Sequence, residues 1–428
     1  MRTGTRSTAA PLRPFRALRY GPAAGGPPHG LLSPPGDGVT ADRATALAAH
    51  PHAFLRLVRP DLLEGRGPGE RPDDTARLLR AWTARGVLRQ DADPSLYVVE
   101  QRTGDARVQR GLIGVLDLAH PGSAEVRPHE EVDPHRVRAQ ARRRRAAGAD
   151  LEPVLLCFDG SDAGPAAAPS TEAGAACLDR VAAGRPLVET WAEGCRIRLW
   201  RVDDPVRLGV LDAYLAGRSL CIADGHHRWA AAEEQYRTDP TGPGRTLLAM
   251  VVDVGRHPLT SSAIHRVLTG VPAAELLAAA GEASPLPSRP EHAVDVRGLL
   301  PDRVRDPLAA YRLAERLIAR VRPDGRGVEF EAHRDRAVAR AAATSGTALI
   351  LPPVAFSAVR ERAARGLLMP RKTTSLTPKP WSGLVVHRHH PESTPHHPDC
   401  TSHHPEEQVC DWRESESITT APSTTRPS

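Results

Sequence analysis

Leu220-Cys-Ile-Ala-Asp-Gly-His-His-Arg-Trp-Ala-Ala-Ala232 is the part of this 428-residue chain from which its architecture is best inferred. An apolar run typical of a buried strand ends at Asp224, and an alanine-rich run typical of a helix begins within the two histidines. Gly225 permits a tight turn close to a ligand, and the first free N–H groups of a helix form an anion site. The sequence therefore predicts a strand-turn-helix with a phosphate-binding turn.

Four side chains in this turn have chemistry that suits phosphates. Asp224 can cap the helix or hold a metal, and Arg228 can clamp a phosphate with two hydrogen bonds. His226 and His227 can serve as a base and as a phosphate contact near neutral pH. The alternative is an ordinary capped turn with exposed histidines. We favour the ligand site, because ligands bind at the C-terminal ends of strands in α/β folds.

A second cluster precedes this turn, in the segment from Val126 to Glu131. Pro128 favours an extended backbone, so the side chains of His129 and Glu130 need not be buried. An adjacent imidazole and carboxylate can supply a base or a metal ligand. A plain surface loop is the alternative.

The third cluster contains the only lysines among 57 basic residues, Lys372 and Lys379. The chain has no asparagine, a bias that indicates a GC-rich genome, so two lysines kept in one short segment suggest a function. In this segment, residues 369–386, both lysines, an arginine and four hydroxyl side chains lie within nine residues between Pro370 and Pro380, and such a strip could wrap around acidic oxygens. The alternative is a surface tether that leads into a last strand at residues 383–386.

The rest of the pattern predicts a mixed α/β body over residues 13–388, with halves at 13–165 and 190–388 and a linker at 160–180. Residues 1–12 are predicted to be a flexible leader. The elements of the body are predicted as helices at 41–50, 73–86 and 135–147, and as strands at 95–101, 111–118, 153–158, 196–202, 219–223, 247–254, 327–331 and 348–351.

Residues 389–428 form a histidine-rich tail with three seven-residue units that each begin His-His-Pro. A proline in every unit forbids a regular helix, and few apolar residues are present, so disorder is predicted. The units are either a simple tandem duplication or an adventitious metal-binding tract.

Charge and cysteine content narrow the function classes without naming a partner. The net charge of +6 is spread over interleaved acids and bases, which argues against nucleic acid without excluding it. The run Arg142–Arg145 is interpreted as a solvated helix face, with a nucleic-acid stripe as the alternative.

The six cysteines form no Cys-x-x-Cys pair, which fits free thiols in a cytoplasmic protein. No apolar run of 18 residues predicts a membrane span, and the first residues lack the apolar stretch of a signal peptide.

Taken together, the motifs resemble the domain-of-unknown-function-1015 family over nearly the whole chain. No settled activity accompanies that family. The resemblance lies in residues 13–20, Leu32-Ser33-Pro34-Pro35 with Asp37, His50-Pro51-His52 with Arg56-Leu57, Leu96-Tyr97 with Gln101, residues 110–114, Pro128-His129-Glu130, Leu199-Trp200, residues 222–228, residues 369–375 and residues 378–385.

The Asp-Gly-His-His-Arg turn is also similar to the phosphate-binding turn of the ParB/sulfiredoxin-like superfamily. That superfamily includes nucleotide-dependent DNA-segregation proteins, sulfinic acid reductases and kinases of free serine. The similarity implies that Gly225 to Arg228 hold the phosphates of a nucleotide. Relatives of the 1015 family are often associated with serine biosynthesis, which favours a small amino-acid or phospho-metabolite substrate. Two positions depart from the family pattern, Gly36 in place of Tyr and Glu152 in place of Ser.

The resulting hypothesis is a phosphotransferase-like enzyme that acts on a nucleotide (ATP or ADP, with Mg²⁺) and a small hydroxy amino acid such as serine. Gly225, His227, Arg228, Lys372 and Lys379 are the predicted phosphate-binding residues. The predicted catalytic set is a separate group of four: His129, Glu130, Asp224 and His226.

Within the catalytic set, Glu130 is expected to accept the proton of the attacking hydroxyl, with His129 orienting it. Asp224 is expected to hold Mg²⁺ or to position His226. Ser33 and Asp37 are candidates for a substrate loop.

Two alternatives use the same residues differently. A phosphatase of a phospho-amino acid would place water where the acceptor lies. A nucleotide-gated, ParB-like DNA-associated or regulatory binding protein would contact DNA through Arg142–Arg145 and would bind DNA with a steep salt dependence. The enzyme hypothesis requires the histidine turn, the His129-Glu130 pair and the lysine segment to meet at one cleft, within about 15 Å of one another. The oligomeric state is left open.

Overall fold

The computed structural model describes residues 12–36, 39–64, 72–104, 107–120, 122, 125–162, 167–280, 292–301, 303–304 and 306–389. Most of the predicted leader and all of the predicted tail except His389 lie outside these residues, as does Asp37 of the predicted substrate loop.

The described residues form a mixed α/β fold, as predicted. Its strands are β1 (Leu12–Arg13), β2 (Leu18–Tyr20), β3 (Leu88–Gln90), β4 (Leu96–Arg102), β5 (Val108–Asp117), β6 (Val126–Arg127), β7 (Ala149–Asp150), β8 (Val154–Phe158), β9 (Val188–Ala192), β10 (Cys195–Val202), β11 (Leu220–Asp224), β12 (Thr246–Asp253), β13 (Thr260–Ala263), β14 (His265–Leu268), β15 (Ala293–Asp295), β16 (Val328–Glu331), β17 (Thr347–Ile350), β18 (Thr374–Thr377) and β19 (His387–Arg388).

Twelve α-helices lie in the described part of the chain. They are α1 (Ala41–Leu47), α2 (Leu55–Val58), α3 (Pro60–Glu64), α4 (Pro72–Ala84), α5 (Pro134–Ala147), α6 (Ala168–Ala183), α7 (Pro205–Leu215), α8 (His226–Thr238), α9 (Ala273–Ala280), α10 (Ala309–Val321), α11 (Arg334–Ala343) and α12 (Phe356–Ala364). Among these residues, no helix is both long enough and apolar enough to cross a bilayer.

A large mixed sheet holds nine of the strands. Its order is β6-β11-β8-β12-β5-β4-β10-β9, and β1 pairs with the end of β5. The pairs β6-β11 and β8-β12 are parallel, whereas the remaining neighbours in the sheet are antiparallel. Smaller sheets pair β13 with β18, β19 with β7, and β2 with β3, and a four-stranded sheet has the order β15-β17-β14-β16.

The large sheet is apolar on both faces because its central strands are continuous apolar runs. In β8, Leu156 and Phe158 pack into one core cluster, and Leu155 and Cys157 pack into another. This alternation is what the two-residue period of a strand requires. Helices α6, α7 and α8 contribute side chains to the first cluster, and Trp381 with its neighbours contributes to the second. Turns at the strand ends are therefore the places left for ligands.

The linker predicted at residues 160–180 is wrong in part, because helix α6 occupies Ala168–Ala183. Strands from both sides of it also pair directly, as β4 with β10 and β8 with β11. The small residues that suggested a loop instead allow close packing. A Cβ atom at Gly174 would lie 2.3 Å from the ring of Tyr214 on α7.

The last predicted strand, at residues 383–386, also differs from the structure. Gly383 has a φ of +98°, which interrupts an extended strand, and the final strand β19 begins only at His387. Val386 makes a single bridge to Leu18. Strand β18, within the lysine segment, was not predicted, since its residues Thr-Ser-Leu-Thr are mostly hydroxylated.

The solvated-face interpretation of Arg142–Arg145 is wrong for two of the four side chains. Arg142 and Arg145 are exposed, but Arg144 is buried and its Nε donates to Asp150 Oδ1 at 2.7 Å. Arg143 is partly buried and donates to the carbonyl of Val58 at 2.8 Å. These two arginines therefore tie α5 to the body of the protein.

The pair formed by Arg144 and Asp150 yields a stability prediction. Removing one partner of a buried pair leaves an uncompensated charge, so Arg144→Met should lower the free energy of unfolding by about 3–5 kcal/mol. The exposed neighbour provides a matched control, and Arg145→Met should change it by less than about 0.5 kcal/mol. Urea denaturation measures both. Equal effects of the two substitutions would contradict the burial of Arg144.

Candidate functional site

The predicted strand-turn-helix is present at the end of β11. The strand ends at Asp224, Gly225 takes a left-handed conformation with φ +94°, and α8 begins at His226. The amide of Trp229 donates to the carbonyl of Gly225 at 2.9 Å, which is the first turn of the helix. No side chain caps this end. The amides at the start of α8 are therefore available to an anion.

Asp224 does not cap the helix, which corrects one of the two roles suggested for it. Its Oδ2 accepts from Arg228 Nη2 at 2.7 Å, and its Oδ1 lies 2.8 Å from Lys379 Nζ. Burial alone would raise the pKa of Asp224, but Lys379 and Arg228 lower it to about 2. The carboxylate therefore stays charged and holds both cations in place.

One cleft of about 210 Å³ lies at this turn. Six basic side chains and three acidic ones line it, so the cleft favours an anionic ligand. The basic residues are Arg59, Arg136, Arg143, Arg228, Lys372 and Lys379, and the acidic ones are Glu130, Glu152 and Asp224. Gly225, His226 and His227 line it as well. Glu130, the histidine turn and both lysines therefore line one cleft, as the enzyme hypothesis requires of their segments.

Glu130 and the lysine segment are joined through the backbone. Met369 bridges to Glu130 in a parallel arrangement, and the amide of Thr373 donates to Glu130 Oε2 at 3.3 Å. Burial raises the pKa of Glu130 above its usual value, although the amides of Lys372 and Thr373 oppose the rise. Glu130 therefore combines a buried carboxyl group with a place on the wall of the cleft.

Lys372 has a left-handed backbone with φ +58°, which is uncommon for a residue with a side chain. Arg266 supports it, because its guanidinium donates to the carbonyls of Arg371 at 3.2 Å and Lys372 at 2.8 Å. Arg266 is itself fully buried and pairs with Glu315 at 3.0 Å. The turn that places Lys372 at the cleft is thus held from inside the protein.

His129 does not line the cleft, and the expectation that it orients the Glu130 side chain is not met by its contacts. Its Nδ1 lies 2.6 Å from the carbonyl of Ile222, and its Nε2 lies 3.3 Å from Thr374 Oγ1. Successive residues of an extended segment point to opposite sides, so Glu130 faces the cleft while His129 faces the interior. Burial lowers the pKa of His129, but Cys221 and Glu130 outweigh it, and the pKa is raised overall.

The two adjacent histidines are hydrogen-bond acceptors at Nε2. His226 Nε2 accepts from the amide of His129 at 3.4 Å, and His227 Nε2 accepts from the amide of Asp133 at 3.1 Å. Burial lowers the pKa of both, that of His227 to about 4. Each ring is therefore neutral near pH 7, with its proton on Nδ1. The alternative of an ordinary turn with exposed histidines does not hold for His226, which is buried.

The candidate substrate loop is only partly at the cleft. Ser33 is buried, its backbone pairs with that of Ser382, and it does not line the cleft. The next residues, Pro35 and Gly36, do line it. Arg59 fixes this loop by donating to the carbonyl of Gly36 at 3.2 Å.

A second group of charged side chains on the cleft wall, Glu152 and Arg143, is absent from the predicted site residues. Glu152 lies between cations, with its Oε2 at 3.4 Å from Arg143 and 3.7 Å from Arg228. Its Oε1 accepts from Ser382 Oγ at 3.1 Å. The sequence marks Glu152 only through its departure from the family pattern. Nothing in the sequence distinguishes Arg143 from the other three arginines of its run.

The family model described as "Protein of unknown function (DUF1015)" matches residues 12–327. The chain belongs to the DUF1015 family. Residues of the lysine segment that complete the cleft lie beyond the matched range. Comparison with curated proteins gave no significant match.

Several solved structures are similar to part of this DUF1015 chain. A free serine kinase in complex with AMP is 13% identical, with a TM-score of 0.37, and the match covers 62% of this chain and 87% of that one. A conserved hypothetical protein from Pyrococcus furiosus is 13% identical, with a TM-score of 0.36 and coverage of 62% and 90%. SbnI from Staphylococcus aureus, with a C-terminal truncation, is 11% identical, with a TM-score of 0.34 and coverage of 62% and 82%.

The conformation of Gly225 gives a prediction about anion binding. A side chain at φ +94° is strained, and a Cβ atom would lie 3.0 Å from Arg228 Nε. Gly225→Ala should therefore cost about 1–2 kcal/mol of stability. It should also weaken the binding of tripolyphosphate about tenfold or more, equivalent to 1.4 kcal/mol.

Gly217 provides the matched control for this substitution. It also has a positive φ, of +67°, but a Cβ atom there would meet nothing within 4 Å. Gly217→Ala should lose similar stability and keep the tripolyphosphate affinity of the original chain, as measured by calorimetric titration. If both variants bind equally well, the turn does not contact the anion.

The lowered pKa of Asp224 gives a prediction about pH. Its pKa is about 2 in the folded chain and 3.8 ordinarily, so the unfolded chain takes up the proton first. The interactions of Asp224 with Lys379 and Arg228 therefore contribute about 2 kcal/mol to the free energy of unfolding above pH 3.8. This contribution is lost as the pH falls towards 2. The free energy of unfolding of the original chain and of Asp224→Asn should therefore converge over this range. A difference that is constant with pH would contradict the ion pairs.

Proposed function

We propose that the cleft binds a nucleotide or another phosphorylated metabolite and transfers a phosphoryl group to a small hydroxy amino acid. The observation that supports this is the meeting of the α8 N-terminus, Arg228, both lysines and Glu130 at one cleft. Phosphoryl transfer needs positioning and charge stabilisation more than covalent chemistry from the protein. The residues that line the cleft are of the types that provide both.

The phosphates are held at the start of α8 in this proposal. The amides of His226, His227 and Arg228 precede the first intrahelical donor, so they can donate to phosphate oxygens. Arg228 adds a fork of two donors, and Asp224 fixes that fork before a ligand arrives. A site that is already organised loses less conformational entropy on binding.

Lys372 and Lys379 neutralise the charge that spreads over the transferred group. They line the same cleft as Arg228, and Lys379 is held against Asp224. Donors fixed in position before the reaction stabilise developing charge without reorganisation. The neutral rings of His226 and His227 shape the turn and contribute polarity rather than charge.

Glu130 is the proposed general base. It is a buried carboxyl group on the cleft wall, and its raised pKa brings its basicity closer to that of the hydroxyl it must deprotonate. The amide of Thr373 fixes one of its oxygens. His129 acts as a positioning residue, since it anchors the backbone next to Glu130 to the end of β11.

Mg²⁺ fits this site poorly at Asp224. Mg²⁺ prefers carboxylate oxygens, but both oxygens of Asp224 already contact cationic groups. Glu152 is similarly engaged by Arg143 and Ser382. We therefore assign Asp224 to the positioning of Arg228 and Lys379 and derive no step through Mg²⁺.

Free serine is the first acceptor to test, because the turn is similar to that of a superfamily that includes kinases of free serine. A phosphatase would use the same residues with water as the acceptor, and product analysis separates the two. The DNA-associated alternative depends on the run Arg142–Arg145. It is weakened because Arg143 and Arg144 form hydrogen bonds to other residues of the protein and are not exposed.

The test measures binding and turnover in Arg228→Ala and in Arg237→Ala, an exposed basic residue in the last turn of the same helix. The original chain should bind ATP or ADP and convert serine to phosphoserine, as followed by calorimetry and by mass spectrometry. Arg228→Ala should weaken nucleotide binding about tenfold or more through the loss of charged hydrogen bonds. Arg237→Ala should match the original chain.

Three outcomes would decide against the proposal or redirect it. Absence of nucleotide binding in the original chain would overturn it, and so would an Arg228→Ala variant that behaves like the original. Release of inorganic phosphate from phosphoserine, without transfer to a nucleotide, would replace the kinase with the phosphatase.

A further inference from the structure

We propose that Asp150, His387 and His389 form a binding site for a divalent transition-metal ion. The site is distinct from the cleft, because none of its three residues lines the cleft. The inference does not depend on the proposed phosphoryl transfer.

The backbone brings the three side chains together. Strands β7 and β19 are antiparallel, and His387 lies directly opposite Asp150. His389 is two residues further, so in an extended backbone it points to the same side as His387. One potential ligand atom from each residue lies within 4.8 Å of the other two. Atoms bound to one tetrahedral metal ion at about 2.0–2.2 Å lie about 3.3–3.6 Å apart, so on binding these side chains would have to approach one another by up to about 1.5 Å.

An unsatisfied buried nitrogen points to a ligand at this place. The side chains of His389 and Asp150 are only 2% and 4% exposed. His389 Nε2 lies 3.4 Å from Asp150 Oδ2, and it makes no hydrogen bond. Buried polar atoms normally have a partner, and a coordinated metal ion would provide one.

The surrounding residues orient the proposed ligands. Thr246 Oγ1 lies 2.8 Å from His387 Nε2. Arg144 Nε donates to Asp150 Oδ1 at 2.7 Å, and the amide of Leu248 donates to Oδ2 at 3.0 Å. Such outer contacts fix the ring and carboxylate positions that a metal requires.

Arg144 also determines which metal the site suits. Its positive charge next to Asp150 reduces the attraction of the carboxylate for a second cation, so the two imidazoles must provide most of the affinity. Imidazole nitrogens bind Zn²⁺, Co²⁺ and Ni²⁺ well, whereas Mg²⁺ and Ca²⁺ prefer oxygen. We therefore expect a transition-metal ion at this site, and Zn²⁺ is the probe used in the experiment.

Occupation would fasten the end of the described chain to a segment next to the cleft. Strand β7 lies between α5, which carries Arg143, and Glu152, and both of these residues line the cleft. A metal held by β7 and β19 would restrain this segment without taking part in the chemistry. Its expected effect is thus on stability.

The experiment must separate this site from the histidine-rich tail, which begins at the same place in the sequence. In every sample the 428-residue chain therefore carries seven substitutions in the tail: His390→Gln, His396→Gln, His397→Gln, His403→Gln, His404→Gln, Cys400→Ser and Cys410→Ser. Zn²⁺ affinity and stoichiometry are measured by competition with a chromogenic chelator, and Co²⁺ absorption reports the coordination. His389→Gln is compared with His333→Gln, an exposed histidine elsewhere.

This tail-substituted chain should bind one Zn²⁺ tightly and melt at a higher temperature with Zn²⁺ than with Mg²⁺. His389→Gln should weaken binding by more than the roughly 10–100-fold typical of losing an outer contact, and it should abolish the Zn²⁺-dependent rise in melting temperature. His333→Gln should change neither. Circular dichroism without metal confirms that each variant is folded.

Two results would overturn the proposal. One is the absence of a stoichiometric Zn²⁺ site in the tail-substituted chain. The other is a folded His389→Gln variant that binds Zn²⁺ as well as His333→Gln does, since the three residues would then form only a buried ion-pair cluster. If His389→Gln is unfolded, His387→Gln decides between the same outcomes.

Discussion

A single carboxylate between two cations holds the two walls of the cleft together. Asp224 comes from the end of β11, Arg228 from the first turn of the following helix, and Lys379 from a segment near the end of the described chain. Without the negative charge, the two cations would repel each other in a partly buried place. The ion pairs therefore explain how a strongly basic cleft is stable before any anion enters it.

Arginines buried deeper in the protein are also satisfied by acidic side chains and carbonyl groups from distant segments. Arg266 is fully buried, and it is satisfied by Glu315 and by carbonyl groups of the lysine segment. Arg144 is satisfied by Asp150 and by carbonyls near β12. In this arginine-rich chain, buried guanidinium groups therefore link distant segments in addition to the apolar contacts of the core. That use of arginine leaves fewer of these residues for a nucleic-acid surface than the composition suggests.

The sequence predicted the mixed α/β class and most of the longer strands of the large sheet, because the signals for these are local. The apolar runs of β8, β11 and β12 and the turn at Gly225 are readable from a few neighbouring residues. The enzyme hypothesis also required the histidine turn, the His129-Glu130 pair and the lysine segment to meet, and of that pair only Glu130 lines the cleft with the other two segments. The roles of these residues remain predictions.

The predictions that were wrong concern features that depend on tertiary contacts, which the pattern of residues along the chain does not show. The region of helix α6 was predicted as a linker because its residues are small. In the structure, these small residues allow the helix to pack closely against Tyr214. His129 was expected beside Glu130 in the cleft, but the alternation of an extended strand sends neighbours in opposite directions. The inward direction of Arg143 and Arg144 depends on the carbonyls of Val58 and Gly244, which lie 85 and 100 positions away in the sequence. Asp150, the other partner of Arg144, is only six positions away, but nothing in the sequence pattern marks it as one.

The lysine segment has a consequence for the order in which the protein is built. The carbonyl of Lys379 accepts a hydrogen bond from Gln101, a residue 278 positions earlier in the chain. During synthesis the sheet strands emerge first, and domains begin to fold from the N-terminal side. The wall that carries Lys372 and Lys379 can close only after nearly all of the described body has left the ribosome. A nascent chain would therefore lack part of the proposed anion site until the lysine segment has emerged.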